Sequence, residues 1–576
     1  MTTGILPPDL KSIEQLLTLD ARFSVPLYQR SFAWTADETT EFWEDIMDAS
    51  DRKSDYFLGT IVLQKKGISE FQIIDGQQRL ACLTMVFSAI RNIFMTNNDP
   101  RANDIYSSFL GAKDFSKNSL PRPKLILNTT NNEKFVKIVI ESMGKDEVGK
   151  VLKTKGIPES NKLLLQAYKF FLEKLQNEYT NRGTNAEEFI VGLIDFLRAS
   201  VKFITIPVNS EEDANLFFEA LNARGKELAV SDLVKNRLYF EIGDPHISRA
   251  QKLWEQMENN LGKSSNPTPI PEYLRHYWIA KKADLKNINV REKQLYGYIS
   301  NFVKGRKAIS LQLLEDMSKS SQDYASISDY SLWPDDKEYS GEFAKTLNEL
   351  KLFRVSQCDP LLLNAIQNFK YPKEIAKTFR IVANFSFRYF IIGNQSPGNL
   401  ERETGRIALG IRDGNISSSD DIANAFLSIN PDKNFRFDFS IASITRSRAR
   451  IARYLLAKIE NHISPNKEKI VNPDDRSVTL EHILPQSFGK TWNSHFSRGY
   501  EPADYIDRIG NLTLLTQKIN SDAADKSFLE KQKIAFETSE LLINSDLMRT
   551  SKWGEEEIES RQDSLAKIAL EVWKLK

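Results

Sequence analysis

FQIIDGQQRLACLTM, Phe71 to Met85, opens as a strand, turns at an Asp-Gly and continues with apolar residues at helical spacing. Leu80, Leu83, Phe87 and Ile90 share one helical face, so the spacing predicts a helix from about Gly76, with Asp75 as its N-cap. A strand that passes through glycine into a helix N-terminus leaves backbone N–H groups unpaired at the positive end of the helix dipole, where an anion such as phosphate fits. Arg79, one turn in, can add a guanidinium fork to the same anion, and Gln77 and Gln78 offer neutral donors. The plain alternative is a capped turn with a surface arginine.

Around this corner the first ~95 residues mix strand and helix. SIEQLLTL reads as a short helix, FSVPLYQRSFAW as extended, TADETTEFWEDIMDA as a capped amphipathic helix and YFLGTIVLQ as a buried strand. After FQIID the pattern is helical for most of the way to Ile470, with one more strand-like run, VKFITIPV. Polar residues recur beside apolar flanks at Gln29, Arg30 and Trp34, and at Asn222, Arg224, Gly225 and Lys226 between two helical runs. The GKS at Gly262 and the GKT at Gly489 have Met257 and Leu484 where a P-loop needs its first glycine, so any nucleotide site is of another type.

Composition narrows the class. A chain of 576 residues with 41% hydrophobic and 27% charged content predicts a folded protein of several structural units. Its apolar runs, such as FIIG, fall short of the ~20 residues of a membrane span, and the N-terminus lacks a signal-peptide pattern. The cytoplasm is the expected compartment and no membrane partner is expected. Lys plus Arg (78) nearly balance Asp plus Glu (77), so any DNA contact must come from local patches. Five histidines and two distant cysteines make a Cys/His zinc site a poor reading. Ser464 to Arg476, SPNKEKIVNPDDR, is the best domain boundary by composition.

YQRSFAW, FLGTIVL, IIDGQQRL and ANLFFEALNARGKELAVSDLVKNRL, in this order over roughly residues 8 to 245, resemble the N-terminal domain of the GmrSD-type modification-dependent (type IV) restriction family. The resemblance implies a ParB/sulfiredoxin-like fold and ties Asp75, Gly76, Gln77, Gln78 and Arg79 to NTP binding and hydrolysis. It extends the candidate nucleotide set to Gln29, Arg30, Asn222, Arg224 and Lys226. GTP, ATP, CTP and UTP all stay open.

Past Arg476 the pattern changes. TLEHILPQ ends a strand-like run on Glu481 and His482 before Pro485; RIGNLTLL carries Asn511, and Asn520 lies just ahead of a helical run. A ββα-metal nuclease needs an imidazole to activate water, a metal to polarise the phosphate and an asparagine to brace the loop holding the histidine. His482 fits the base, Glu481 with Asn520 the metal ligands and Asn511 the brace, and an oxygen-donor pair suits Mg²⁺ or Mn²⁺ better than zinc. These residues, with KWGEEEIESRQDSLAKIALEVW, resemble the C-terminal HNH nuclease domain of the same family over about residues 440 to 576, with Asn520 where a histidine often stands. Arg446, Arg450 and Arg453 form a basic stripe that either tracks a DNA backbone or faces solvent.

The expected architecture is α+β and predominantly helical. It comprises a ParB-like sensor over residues 1–245, a helical middle over 246–440 and an HNH nuclease over 441–576. The expected activity is NTP-regulated, metal-dependent cleavage of foreign, modified double-stranded DNA in antiphage defence, with a homodimer left open. The rival readings are an NTPase with a vestigial nuclease and a nucleotide-switched DNA-binding regulator.

Overall fold

The computed structural model describes residues 8–17, 21–26, 29, 31–112, 122–154, 156–208, 230–264, 267–286, 288–332, 339–464, 470–475, 478–523 and 525–576. Arg30, Asn222, Arg224, Gly225 and Lys226 lie outside the described residues. The chain divides into two compact units, Met1–Gly243 and Asp244–Lys576. It is α+β and predominantly helical.

In the first unit, strands β1 (Asp9–Ser12), β2 (Arg22–Ser24), β3 (Tyr56–Lys65), β4 (Glu70–Asp75), β5 (Leu125–Ile126) and β6 (Val201–Val208) form one mixed sheet of order β1-β6-β3-β4-β2-β5. β3 runs antiparallel to β4 and parallel to β6, while β2 runs parallel to both β4 and β5. The Ala36–Asp51 helix starts where Glu38 accepts the Thr35 N–H at 2.8 Å, the capping-box signature of its sequence.

The Gln77–Thr96 helix is buried on nearly all sides rather than along one face. It is long and apolar enough, by length and composition, to cross a membrane, contrary to the reading of short apolar runs. The explanation is packing: Leu80, Cys82, Leu83, Val86 and Phe87 are all fully buried in one core with the sheet and the Glu159–Asn181 helix. An all-round apolar helix is what the centre of a large core requires.

The second unit is a stack of helices carrying a two-stranded sheet, β7 (Val478–His482) antiparallel to β8 (Leu512–Thr516). The C-terminal Glu555–Val572 helix explains why the helical middle and the strand pair form one body. Its Gln562 amide donates to the Phe439 and Ala442 carbonyls, and Trp573 just beyond it stacks on Phe387 at 4.1 Å. The loop expected as a boundary lies inside this unit. Asn461 exchanges two hydrogen bonds with the Val471 backbone, and Arg450 pairs with Asp474 at 2.8 Å.

Candidate functional site

At the first corner the strand runs through Asp75, and the helix N-cap is Gly76 at φ +93°, not Asp75. The first intrahelical bond joins the Leu80 N–H to the Gly76 carbonyl, which leaves the N–H groups of Gln77, Gln78 and Arg79 outside the helix ladder. Asp75 instead pairs with Arg79, Oδ2 to Nη2 at 3.3 Å, while Arg79 Nη1 donates to the Leu58 carbonyl at 3.3 Å. That carbonyl is presented by a bulge at Gly59, whose φ is +115°. A Cβ on Gly59 would stand 1.8 Å from Arg79 Nη1, so the glycine makes the room into which the guanidinium reaches.

The two glutamines do other work. Gln29 Nε2 donates to the Ile74 carbonyl at 2.8 Å and Gln77 Nε2 to Gln29 Oε1 at 3.3 Å. Gln78 accepts the Ala33 N–H and donates to the Ser31 carbonyl. Both are buried and pin the preceding loop across the helix start, a role that the reading of free donors did not anticipate. Gln29, Asp75, Gly76, Gln77, Gln78 and Arg79 therefore converge.

In the second unit the β7–β8 register sets Leu512 opposite His482 and Thr513 opposite Glu481. Asn511 is fully buried and saturated: its Oδ1 accepts the Leu484 N–H (2.7 Å) and Trp553 Nε1 (3.0 Å), and its Nδ2 donates to the Leu484 and Ile506 carbonyls. It thus ties the turn after His482 to β8. The C-terminal helix holds this hub from behind. Buried Arg561 donates to the Gly510 and Leu512 carbonyls, and Gln562 accepts the Gly510 N–H at 3.1 Å. A Cβ on Gly510 would lie 2.1 Å from the Ile558 carbonyl, so only glycine lets the helix come this near.

His482 emerges at the strand end with Nε2 3.6 Å from Asp507 Oδ1 and 3.4 Å from Gln486 Nε2. Burial lowers its pKa below the ordinary 6.5; Asp507 opposes that shift, while Lys531 and Arg446 reinforce it. The ring is neutral at neutral pH and can take a proton. Arg446 is an exposed cation beside this imidazole, in a short turn ahead of the Ala449–Ile463 helix that carries Arg450 and Arg453. The three arginines are therefore not one uniform stripe: Arg450 is spent on Asp474.

Glu481 and Asn520 do not form the expected metal pair. Adjacent strand residues point to opposite faces, and Glu481 is buried with Lys531 Nζ at 2.5 Å from its Oε1. Lys531 also donates to the His482 carbonyl at 2.8 Å, so an ammonium already holds the place a divalent cation would need. Asn520 lies within the short Gln517–Ala523 helix, ahead of the Phe528–Lys531 helix, and its amide donates to Thr479 Oγ1 and the Leu480 carbonyl. Among the described residues no group of three or more His, Cys, Asp or Glu is placed to hold a metal ion. Asp507, Lys531 and Trp553 were missed in the sequence. Only Asp507, four residues before Asn511 in DRIGN, carried a usable signal.

No curated protein matches the chain. Two family models do match: the GmrSD restriction endonuclease N-terminal domain over residues 13–239, which contains the Asp75 corner, and the GmrSD restriction endonuclease C-terminal domain over residues 429–568, which contains His482 and its Asn511 hub. The second match starts just before the Asp432–Ile441 helix that Gln562 ties to the strand pair. With both halves present in order on one polypeptide, the chain belongs to the GmrSD family of restriction endonucleases, enzymes that cut DNA in defence.

Proposed function

We propose that the chain is an HNH-type DNA endonuclease in which His482 is the general base, acting on modified foreign DNA under control of a nucleotide at the Asp75–Arg79 corner. The observation that carries the reading is the neutral His482 imidazole at a strand end, braced through Asn511 and faced by Asp507. Asp507 orients the ring through Nε2 and stabilises the imidazolium, leaving Nδ1 to take a proton from water as its oxygen attacks phosphorus and the bond to the leaving sugar oxygen breaks. Arg446 supplies positive charge for the phosphate. With Lys531 on Glu481, the residues present do not fit Mg²⁺ or Mn²⁺ at Glu481 and Asn520.

The regulatory half rests on a helix N-terminus with an arginine fixed beside it by Leu58 and Asp75. NTP binding there, with hydrolysis, would shift the balance between restrained and cutting-competent states by the 1–3 kcal/mol typical of coupled sites. The test is cleavage of modified and unmodified plasmid DNA across an NTP titration, for the natural chain and Arg79→Ala. Nucleotide-dependent cutting confined to modified DNA, with the nucleotide dependence lost in Arg79→Ala, supports the proposal. Equal rates on both DNAs with and without nucleotide would remove its regulatory half, and no cutting under any condition would remove it entirely.

A further inference from the structure

The helical part of the second unit contains a cavity of about 510 Å³, within the size range of small-molecule sites. Glu272 and Asp359 line it, each in the first turn of its helix; so do Lys351 and Arg354, at the C-terminal end of another. Helix dipoles favour those charge signs at those ends, which accounts for the residue types. Lys351 and Arg354 stand exposed at its rim, while Glu272 and Asp359 are half-buried. Among the described residues the side chains of Glu272, Lys351 and Arg354 make no hydrogen bond or ion pair, although two carboxylates and two cations share one cavity.

Behind the cavity runs a directed hydrogen-bond chain. The Arg275 guanidinium can only donate, so His276 Nε2 accepts at 2.9 Å. His276 Nδ1 must then carry the proton and donate to the Tyr324 hydroxyl at 2.7 Å, and Tyr324 donates to Asp359 Oδ2 at 3.0 Å. Asp359 Oδ1 is left without a partner among the described residues. His276 is fully buried and neutral, and burial raises the Asp359 carboxyl to about 8. A mostly protonated Asp359 offers one donor and one acceptor, and Glu272 beside it offers acceptors only.

We propose that this cavity binds a nucleotide whose base carries an exocyclic amino group, the amino edge meeting Glu272 and Asp359 and the phosphate meeting Lys351 and Arg354. Two carboxyl groups can accept both amino N–H bonds of cytosine or adenine, and a protonated one can also donate to the adjacent ring nitrogen; thymine has a single N–H and leaves one carboxyl acceptor unpaired. Ile327, Leu347 and Leu350 supply apolar wall for the ring faces. The same chemistry can come from a free nucleotide or from a base swung out of DNA. Only the second source rests on the endonuclease reading.

Calorimetry on the full chain, without added divalent cation, separates the sources. One arm titrates dCMP, dAMP and dTMP; the other uses short duplexes with a central unpaired cytosine, adenine or thymine. The proposal expects cytosine or adenine to bind roughly tenfold or more tighter than thymine in at least one arm. Glu272→Gln combined with Arg354→Asn should abolish that preference while the chain still melts cooperatively, its thermal midpoint lowered by no more than the loss of two helix-end charges entails. Arg354 sits at φ +56°, which asparagine tolerates. No preference in either arm, or one that survives the double variant, overturns the proposal and leaves these charges as companions of the helix ends. Binding is read without cutting, so a chain that fails to cleave still gives an answer.

Discussion

His482 couples position to protonation. Because burial holds its pKa below the ordinary ~6.5, the acid limb of cleavage should lie below that value. Asp507 stabilises the imidazolium, so Asp507→Asn should move the limb further toward acid and slow the plateau; Arg446→Ala should move it the other way. Rate profiles against pH for the three proteins check this, and an unmoved limb in both variants would detach these residues from the base. At the other corner, Gly59→Ala meets both a left-handed φ and the Arg79 guanidinium. A loss of about 1–3 kcal/mol in denaturant unfolding is expected. The sequence displayed Asp75, Arg79 and His482 openly, since each sits at a motif edge. It hid Gly59, whose meaning depends on a bulge that no local spacing encodes, and marked Asp507 only by its place in DRIGN ahead of Asn511.

At the scale of elements, the β7–β8 pair is held by polar groups that must all be satisfied. The buried Lys531–Glu481 pair is the clearest case: removing one partner leaves the other charge uncompensated, so Lys531→Met or Glu481→Ala alone should cost about 3–5 kcal/mol. Lys531→Met with Glu481→Leu should recover most of that loss. Added Mg²⁺ should not rescue Glu481→Ala; rescue would return Glu481 to the role of metal ligand. Strand and helix positions were largely legible from period and caps. Glu481 was not, because a carboxylate beside a histidine reads as a ligand until the strand's alternation turns it to the other face, where Lys531 waits 50 residues on.

For the whole molecule, the Arg275–His276–Tyr324–Asp359 chain sets a pH signature. Asp359 is raised in the folded state from 3.8 to about 8, so it makes stability fall as pH rises through that window. His276 is lowered from 6.5 to about 3, so it makes stability fall as pH drops below 6.5. The two oppose each other below pH 6.5, and from 6.5 to 8 Asp359 acts alone. The thermal midpoint should therefore decline over that interval, and Asp359→Asn should flatten the decline. The sequence announced the helical middle only as helical, because a buried relay assembled from three helices has no spacing of its own. Cutting by the whole molecule turns on His482. Cleavage of a modified plasmid by His482→Ala, at a folded fraction matched by thermal melting, should fall by roughly 10²- to 10⁴-fold; cutting at the rate of the natural chain would contradict it.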